Sequence, residues 1–512
     1  MADVDAVVVG AGVNGLACAA LLARAGWRVT VLERAGEPRG AVRTAEVTLP
    51  GFKHDLYATN LNLFAGSRLF AELRQELVAH GLELAVAGRS FGSVFPGGRF
   101  VGVSTDAGET AASLAAVSEP DAERWRELAA RFARIAPHLF PLLTVPMPSL
   151  AAARTLWRGR RALGRVWPHE LARLLGQSTR ELVEEHFESA EVRALVAAWG
   201  MHLDFPPDAP GGALFAFLES FASAANGMAL GRGGADVLVQ ALVGVLQRHG
   251  GELRCGADVE RIVVERGRAA GVVLTGGERL GAGRAVIANL TPTVLARLLE
   301  DPPPEAARYR YGPGTLMVHL ALDGPVPWTA AQAARSAYVH VAPYLDDMAL
   351  AYQRAAAGRL PERPMLVVGQ PTVADPSRAP AGKHVLWIQV RVVPGSLDWA
   401  REQEAFADRV LDQLEEYAPG LRDLVLGRHV LSPADLERAN PNLVGGDQLA
   451  GSHHAFQHFF LRPLPGWTRY RTPVERLYLC GAATWPGAGV GAGSGYLLAK
   501  QLAHRTKNAS SR

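Results

Sequence analysis

Cysteine is nearly missing from this chain. Cys18, Cys255 and Cys480 are its only three, and no C-x-x-C pair occurs. A redox-active disulfide and a cysteine zinc cluster are therefore excluded, and the sequence offers no metal site. Lysine is as scarce: Lys53, Lys383, Lys500 and Lys507 are the only ones among 53 basic residues, a skew that reads as codon bias. No basic block stands out, and a net charge of +3 gives no electrostatic footprint for nucleic acid. Low-complexity linkers and repeats of fixed period are also lacking, so the segments between motifs read as packed. The apolar run at residues 4–23 contains a glycine turn, which favours a strand and a helix over a membrane span. The first strand begins almost at the first residue, leaving no room for a signal peptide. The expectation is a cytoplasmic protein, with a peripheral membrane contact left open. What the chain has is apolar bulk: 512 residues at 48% hydrophobic content give two or three domains with large cores.

The densest signal is at the N-terminus. An apolar strand, Ala6 to Val9, runs into Gly10, Gly12 and Gly15 in a G-x-G-x-x-G pattern, and an alanine-rich helix follows as far as Gly26. A second strand, Trp27 to Glu33, ends in an acid 18 residues after Gly15. Gly10 permits the tight turn, Gly12 lets a pyrophosphate approach the backbone, and Gly15 lets helix and strand pack closely. The helix start at Val13 and Asn14 supplies free N–H groups and a positive dipole end to phosphates. Glu33 accepts hydrogen bonds from a ribose diol. Strand, turn, helix, strand and acid in this order predict an ADP-containing dinucleotide.

The residues after Glu33 favour FAD. Arg34, Arg39, Gly40, Ala41 and Arg43 form a turn of small residues and arginines that can approach the pyrophosphate from its other side. Two distant segments add to this. Gly231, Gly233 and Gly234 open a helix from Val237 to His249, followed by strands through Val259 and up to Asn289. Near the C-terminus, a strand at Leu477 leads into Gly481, Gly487, Gly489, Gly491, Gly493 and Gly495, then a last helix from Tyr496. This is a second strand, glycine loop and helix that offers backbone amides.

Together with Asn440, Gly445, Gly446, Asp447, Gln457, Arg462, Tyr470 and the run Leu477–Gly481, these motifs resemble the FAD-dependent phytoene desaturase and carotenoid oxidoreductase family, within the amine oxidase-like flavoproteins. The similarity is to the branch with carotene ketolase-like proteins and the "pyridine nucleotide-disulfide oxidoreductase domain-containing protein 2" type. The resemblance implies that Gly10, Gly12, Gly15 and Glu33 hold the ADP half. It implies that the Arg39–Arg43 turn lies on the pyrophosphate and that backbone near Val259 brackets the adenine. Gly481, Ala482, Gly489, Val490 and Gly491 would then meet the ribityl chain and the pyrimidine edge of the flavin. Two positions depart from the family pattern. Gly40-Ala41 stands where paired glycines are common, and Trp485 stands where a histidine is common in a Thr-x-Pro-Gly loop. An indole offers no acid–base group there; if the loop matches, Trp485 lies beside the flavin or lines the cavity.

The expected fold is α/β: a discontinuous Rossmann-type FAD-binding domain (1–75, 225–300 and 465–512) with an inserted mixed α+β substrate domain. Residues 76–224 read as mostly helical, and 301–464 as mixed. Arg154, Arg158, Arg161 and Arg165 share one helical face, with Leu156, Leu163 and Trp167 on the other. That stretch reads either as a solvated helix or as a surface for an anionic membrane. His202, Asp204, Glu219, Tyr338 and His340 are polar candidates on the substrate side, and no Ser-His-Asp or paired-carboxylate pattern accompanies them.

The leading functional expectation is desaturation of an apolar, unsaturated, isoprenoid-like substrate, with a hydride passing to flavin N5. Oxidation of an amine or alcohol, redox-neutral double-bond isomerisation, and a non-catalytic FAD-binding role in assembly stay open beside it. A second G-x-G-x-x-G with a following acid is missing, so tight NAD(P)H binding is not encoded. The expected electron acceptor is oxygen, a quinone or another carrier. FAD is expected to be held non-covalently, because no His or Cys stands out as an attachment point. Substrate identity and oligomeric state stay open.

Overall fold

The computed structural model describes residues 3–38, 40–341 and 344–510. The strand Val4–Val9 sits inside a seven-stranded sheet, and Ala6 to Val9 are buried on both faces. Burial on both sides is why it reads as a continuous apolar run rather than an alternation. Its parallel neighbours are Val29–Glu33 on one side and Arg279–Ala288 on the other, with Val8 opposite Val31 and Ile287. Glu252–Cys255 extends the sheet past Val29–Glu33, and Leu477–Leu479 pairs in parallel with the end of Arg279–Ala288. The start of that long strand joins an antiparallel pair, Val259–Glu265 and Arg268–Leu274.

Ala6 and Val8 face the helices Val13–Arg24, Val237–Arg248 and Gly493–Ser510. Val7 and Val9 face the other layer, against Ile262, Val272 and Trp467. Three separate stretches of chain thus build one Rossmann-type α/β layer, as the spacing of the motifs predicts. The carboxyl ends of its parallel strands open on one edge, where such sheets bind ligands.

A second seven-stranded sheet stands beside the first. Its strands, in spatial order, are Val425–Leu431, Gly314–Leu322, His384–Val393, Leu366–Gly369, Tyr338–Val341, Arg89–Phe95 and Arg99–Ser104. All pairs are antiparallel except Tyr338–Val341 with Arg89–Phe95. The two-residue period sorts its side chains. Leu386, Ile388 and Val390 pack under the helix Trp399–Glu415 with Phe406, Val410 and Leu414. Trp387, Gln389 and Arg391 point the other way, into a cavity.

The segment 76–224 is less purely helical than its composition suggests. Leu84–Ala87, Arg89–Phe95 and Arg99–Ser104 are strands. Arg89–Phe95 is short and rich in serine, and its parallel partner lies far downstream, so no local period announces it. The arginine-rich stretch also departs from expectation. Its helix, Leu150–Leu163, ends at Gly164 with φ +95°, so Arg165 drops out of the arginine face and Trp167 out of the opposite one. Trp167 opens the next helix and is buried against Gly159, where a Cβ would come within 2.7 Å of its ring. Among the described residues no helix is long and apolar enough to cross a membrane.

A buried guanidinium in the turn that follows the strand Leu366–Gly369 ties that turn to the segments carrying Asp55 and Gly231. Arg378 and its partners Asp55 and Asp375 have no side-chain exposure. Arg378 Nη1 lies 3.0 Å from Asp55 and Nε 3.1 Å from Asp375, while Nη2 donates to the Gly231 carbonyl at 2.8 Å. Asp55 also accepts from Thr44 and Thr59 at 2.6 Å and from the Ala235 amide at 2.8 Å. Asp375 accepts the Gly233 amide at 2.6 Å. Removing one member of such a group strands the others as buried charges, at about 3–5 kcal/mol. Arg378→Ala should therefore lower the unfolding free energy by about that amount, read as a lower urea midpoint by circular dichroism. An unchanged midpoint would show that the network carries no stability.

Candidate active site

The carboxyl edge of the first sheet opens into a cavity of about 1060 Å³ that reaches the second sheet. At its near end the strand Val4–Val9 turns at Gly10, φ +96°, into the helix Val13–Arg24. Gly12 is the N-cap and has no side chain to satisfy the first turn. Among the described residues, the amides of Val13, Asn14 and Gly15 have no partner within the chain. Gly15 is required because a Cβ there would sit 2.4 Å from the Gly10 carbonyl oxygen. Glu33 is buried, and its two carboxylate oxygens accept the amides of Ala11 and Ala35, each at 3.0 Å. Each oxygen keeps a further lone pair for a hydroxyl donor. Partnerless amides at a helix start, beside a fixed carboxylate, fit the phosphate and ribose of a dinucleotide.

Most of the residues expected to hold the cofactor meet on this wall. Gly10, Gly12, Val13, Asn14, Glu33, Arg34, Gly40, Ala41, Val259, Gly481, Ala482, Gly489, Val490 and Gly491 all line the cavity. Gly40 lies against the glycine loop, where a Cβ would come 3.0 Å from the Gly12 Cα. Arg34 also donates to the Arg438 carbonyl at 2.8 Å. Arg43 is not on the wall; it pairs with Glu37 at 2.9 Å. Arg39 lies outside the described residues.

Trp485 is placed differently from the expectation. It is buried in the helical layer, donates to the Val145 carbonyl at 3.0 Å, and packs on His458 and Phe459. Its neighbours Ala483, Pro486 and Gly487 line the cavity, and the indole does not. The indole therefore anchors the loop from behind.

An imidazole reaches this loop from elsewhere. His453 lines the cavity, and its Nε2 accepts the Ala488 amide at 3.0 Å. Burial, then the nearby Arg462 and His458, hold its pKa well below the ordinary imidazole value, so it is neutral with its proton on Nδ1. Arg462 is buried and donates to the Ala482 carbonyl at 2.7 Å and the Ser452 carbonyl at 2.8 Å. It thereby ties the loop carrying His453 to the loop carrying Ala482. Arg462 is legible in the sequence only as part of a motif, and His453 is not legible there, since nothing local links positions 453 and 488.

The far end is apolar and aromatic. Tyr338 and Trp387 stack at 5.6 Å with an interplanar angle of 6°, and Trp199, Phe215 and Leu218 complete the wall. His202 pairs with His340, Nε2 to Nε2 at 3.1 Å, and burial keeps it neutral. Arg391 donates to the His202 carbonyl. Asp204 is not on the wall; its carboxylate accepts from Tyr352 and Ser452, each at 2.7 Å. Among the described residues, the lone carboxylate at this end is Glu219.

A dinucleotide cradle opening onto an aromatic chamber defines a flavoprotein oxidoreductase. Residues 14–499 match the family described as flavin containing amine oxidoreductase, and the chain belongs to that family. It is similar to the pyridine nucleotide-disulfide oxidoreductase domain-containing protein 2 of Rattus norvegicus, 30% identical over 99% of this chain and 94% of that one. It is 29% identical to the phytoene dehydrogenase of Streptomyces griseus over 94% of this chain and 92% of the other. A solved oxidoreductase from Methanosarcina mazei shares the fold, with a TM-score of 0.64 and 19% identity over 98% and 99% of the two chains. The protein is thus a phytoene desaturase-like, flavin-dependent oxidoreductase. Gly15→Val should drive the valine into the Gly10 carbonyl and yield purified protein with most of its flavin absorbance lost. Retention of one flavin per chain would overturn the role given to this turn.

Proposed function

We propose that this enzyme uses non-covalently held FAD to introduce a C=C bond into an apolar, unsaturated substrate of isoprenoid type. The carrying observation is the aromatic chamber continuous with the dinucleotide cradle, in which no nucleophile is paired with a base among the described residues. When bound, FAD supplies the acceptor for a hydride. Tyr338, Trp387, Trp199 and Phe215 line an apolar chamber that keeps water away while positive charge develops on the substrate. Conjugation spreads that charge, so positioning matters more than strong acid–base groups. The similarity to a phytoene dehydrogenase supports this reading.

The side chains available support non-covalent attachment. Cys18, Cys255 and Cys480 are absent from the cavity wall, and His453 Nε2 is committed to the Ala488 amide. The acceptor that reoxidises the flavin is oxygen, a quinone or another carrier. We place the enzyme in the cytoplasm and assign it a peripheral contact with anionic membranes through the helix Leu150–Leu163. That helix exposes Leu150 and Trp157 beside Arg158 and Arg161.

Anaerobic titration of the purified holoprotein with phytoene in detergent, and with lipid and polar extracts of its host, tests the reaction. Bleaching of the flavin by phytoene or the lipid extract is expected. Bleaching by the polar extract alone would point to amine or alcohol oxidation, and none at all to isomerisation or a structural flavin. Acid precipitation should leave the flavin in the supernatant. Sedimentation with anionic, but not neutral, vesicles should be lost in Arg158→Glu/Arg161→Glu; equal sedimentation would remove the membrane contact.

A further inference from the structure

The helix Gly212–Asn226 turns Phe215, Leu218, Glu219, Ala222 and Asn226 toward the cavity, one face at helical spacing. Glu219 is the only charged member of that face. Among the described residues no hydrogen bond or ion pair reaches its carboxylate, and burial alone raises its pKa to about 7. Its open surface looks into the chamber rather than into bulk water. From the second sheet, Tyr338 is the titratable group coupled to it. Arg391 and Asp55 act on the same tyrosine, but Arg391 donates to the His202 carbonyl and Asp55 is held by Arg378. His202, on the neighbouring wall, is neutral and paired with His340.

A carboxylate left unpaired in an apolar chamber is costly, and packing gives no reason for it. We propose that Glu219 accepts the proton that leaves the substrate as the C=C bond forms. This rests on the desaturase reading above. Desaturation removes two hydrogens from adjacent carbons. One leaves as a hydride, carrying both electrons of its C–H bond to the oxidised flavin. The other leaves as a proton to Glu219 Oε, and the electron pair of that C–H bond becomes the new π bond. Glu219 ends as a neutral acid, and the two electrons have left with the hydride. The other carboxylates on the cavity wall among the described residues, Glu33 and Asp258, stand at the first sheet, away from the second-sheet wall that Glu219 faces. His202 has its Nε2 engaged with His340.

The test compares wild type, Glu219→Gln and Glu219→Asp as flavin-loaded proteins, with phytoene as the probe. Equal flavin content and equal near-ultraviolet dichroism establish that the variants are folded. The wild-type rate of anaerobic bleaching should rise with pH through about 7 as the carboxylate forms. Glu219→Gln should be slower by roughly 10²–10⁴-fold and lose that pH limb, whereas Glu219→Asp should keep it. In the resting holoprotein, difference infrared spectra should show a protonated carboxyl titrating over the same range in wild type and not in Glu219→Gln. A Glu219→Gln variant bleached at the wild-type rate with an unchanged pH profile would overturn the assignment and leave the desaturase reading intact. A wild type that phytoene does not bleach, while a polar extract does, would overturn that reading and this role with it.

Discussion

The molecule depends on the charge of Arg378, taken out of water between two carboxylates. Asp55 comes from the short strand after the first glycine loop, Asp375 from a turn beside the second sheet, and Gly231 and Gly233 from the approach to the helix Val237–Arg248. A guanidinium has donors in several directions and stays charged when buried, so one side chain can fix three chain segments at once. The parts that carry the cradle and the chamber are therefore held by hydrogen bonds with directions as well as by apolar contact.

The loop behind the cavity is organised the same way, with different chemistry. Arg462 has no carboxylate partner within ion-pair distance among the described residues; it gathers backbone carbonyl oxygens from positions 451, 452, 457 and 482. Burial lowers its pKa, with Tyr309 and Asp447 opposing that shift. Trp485 closes the same loop from the helical side through Val145. Cation, indole and imidazole thus hold a glycine-rich segment whose own residues have little side chain to hold with.

The cradle was legible in the sequence because its physics is local. A glycine turn, a helix start and an acid at the end of the next strand are read within about thirty residues, the span of one βαβ unit. Gly40 and Ala41 were legible for the same reason. The chamber was not. Tyr338 and Trp387 stack across Gly369 of the strand between theirs, and the strand Arg89–Phe95 finds its parallel partner far along the chain. Trp485 shows the limit of motif position as a guide: the loop was recognised, but which side of it carries the indole depends on packing that no spacing encodes. Glu219 was visible as a carboxyl in an apolar helix, and only the cavity shows that the same face is open to a ligand.

The bond from the Ala488 amide to His453 has a thermodynamic corollary. It requires an imidazole with a free lone pair, and the unfolded chain takes up a proton at that nitrogen more readily than the folded one. By linkage, this clasp contributes its full share of stability above the ordinary imidazole value and weakens as acidity rises past it. The glycine-rich loop therefore has an acid-labile fastening that neutral surroundings leave shut.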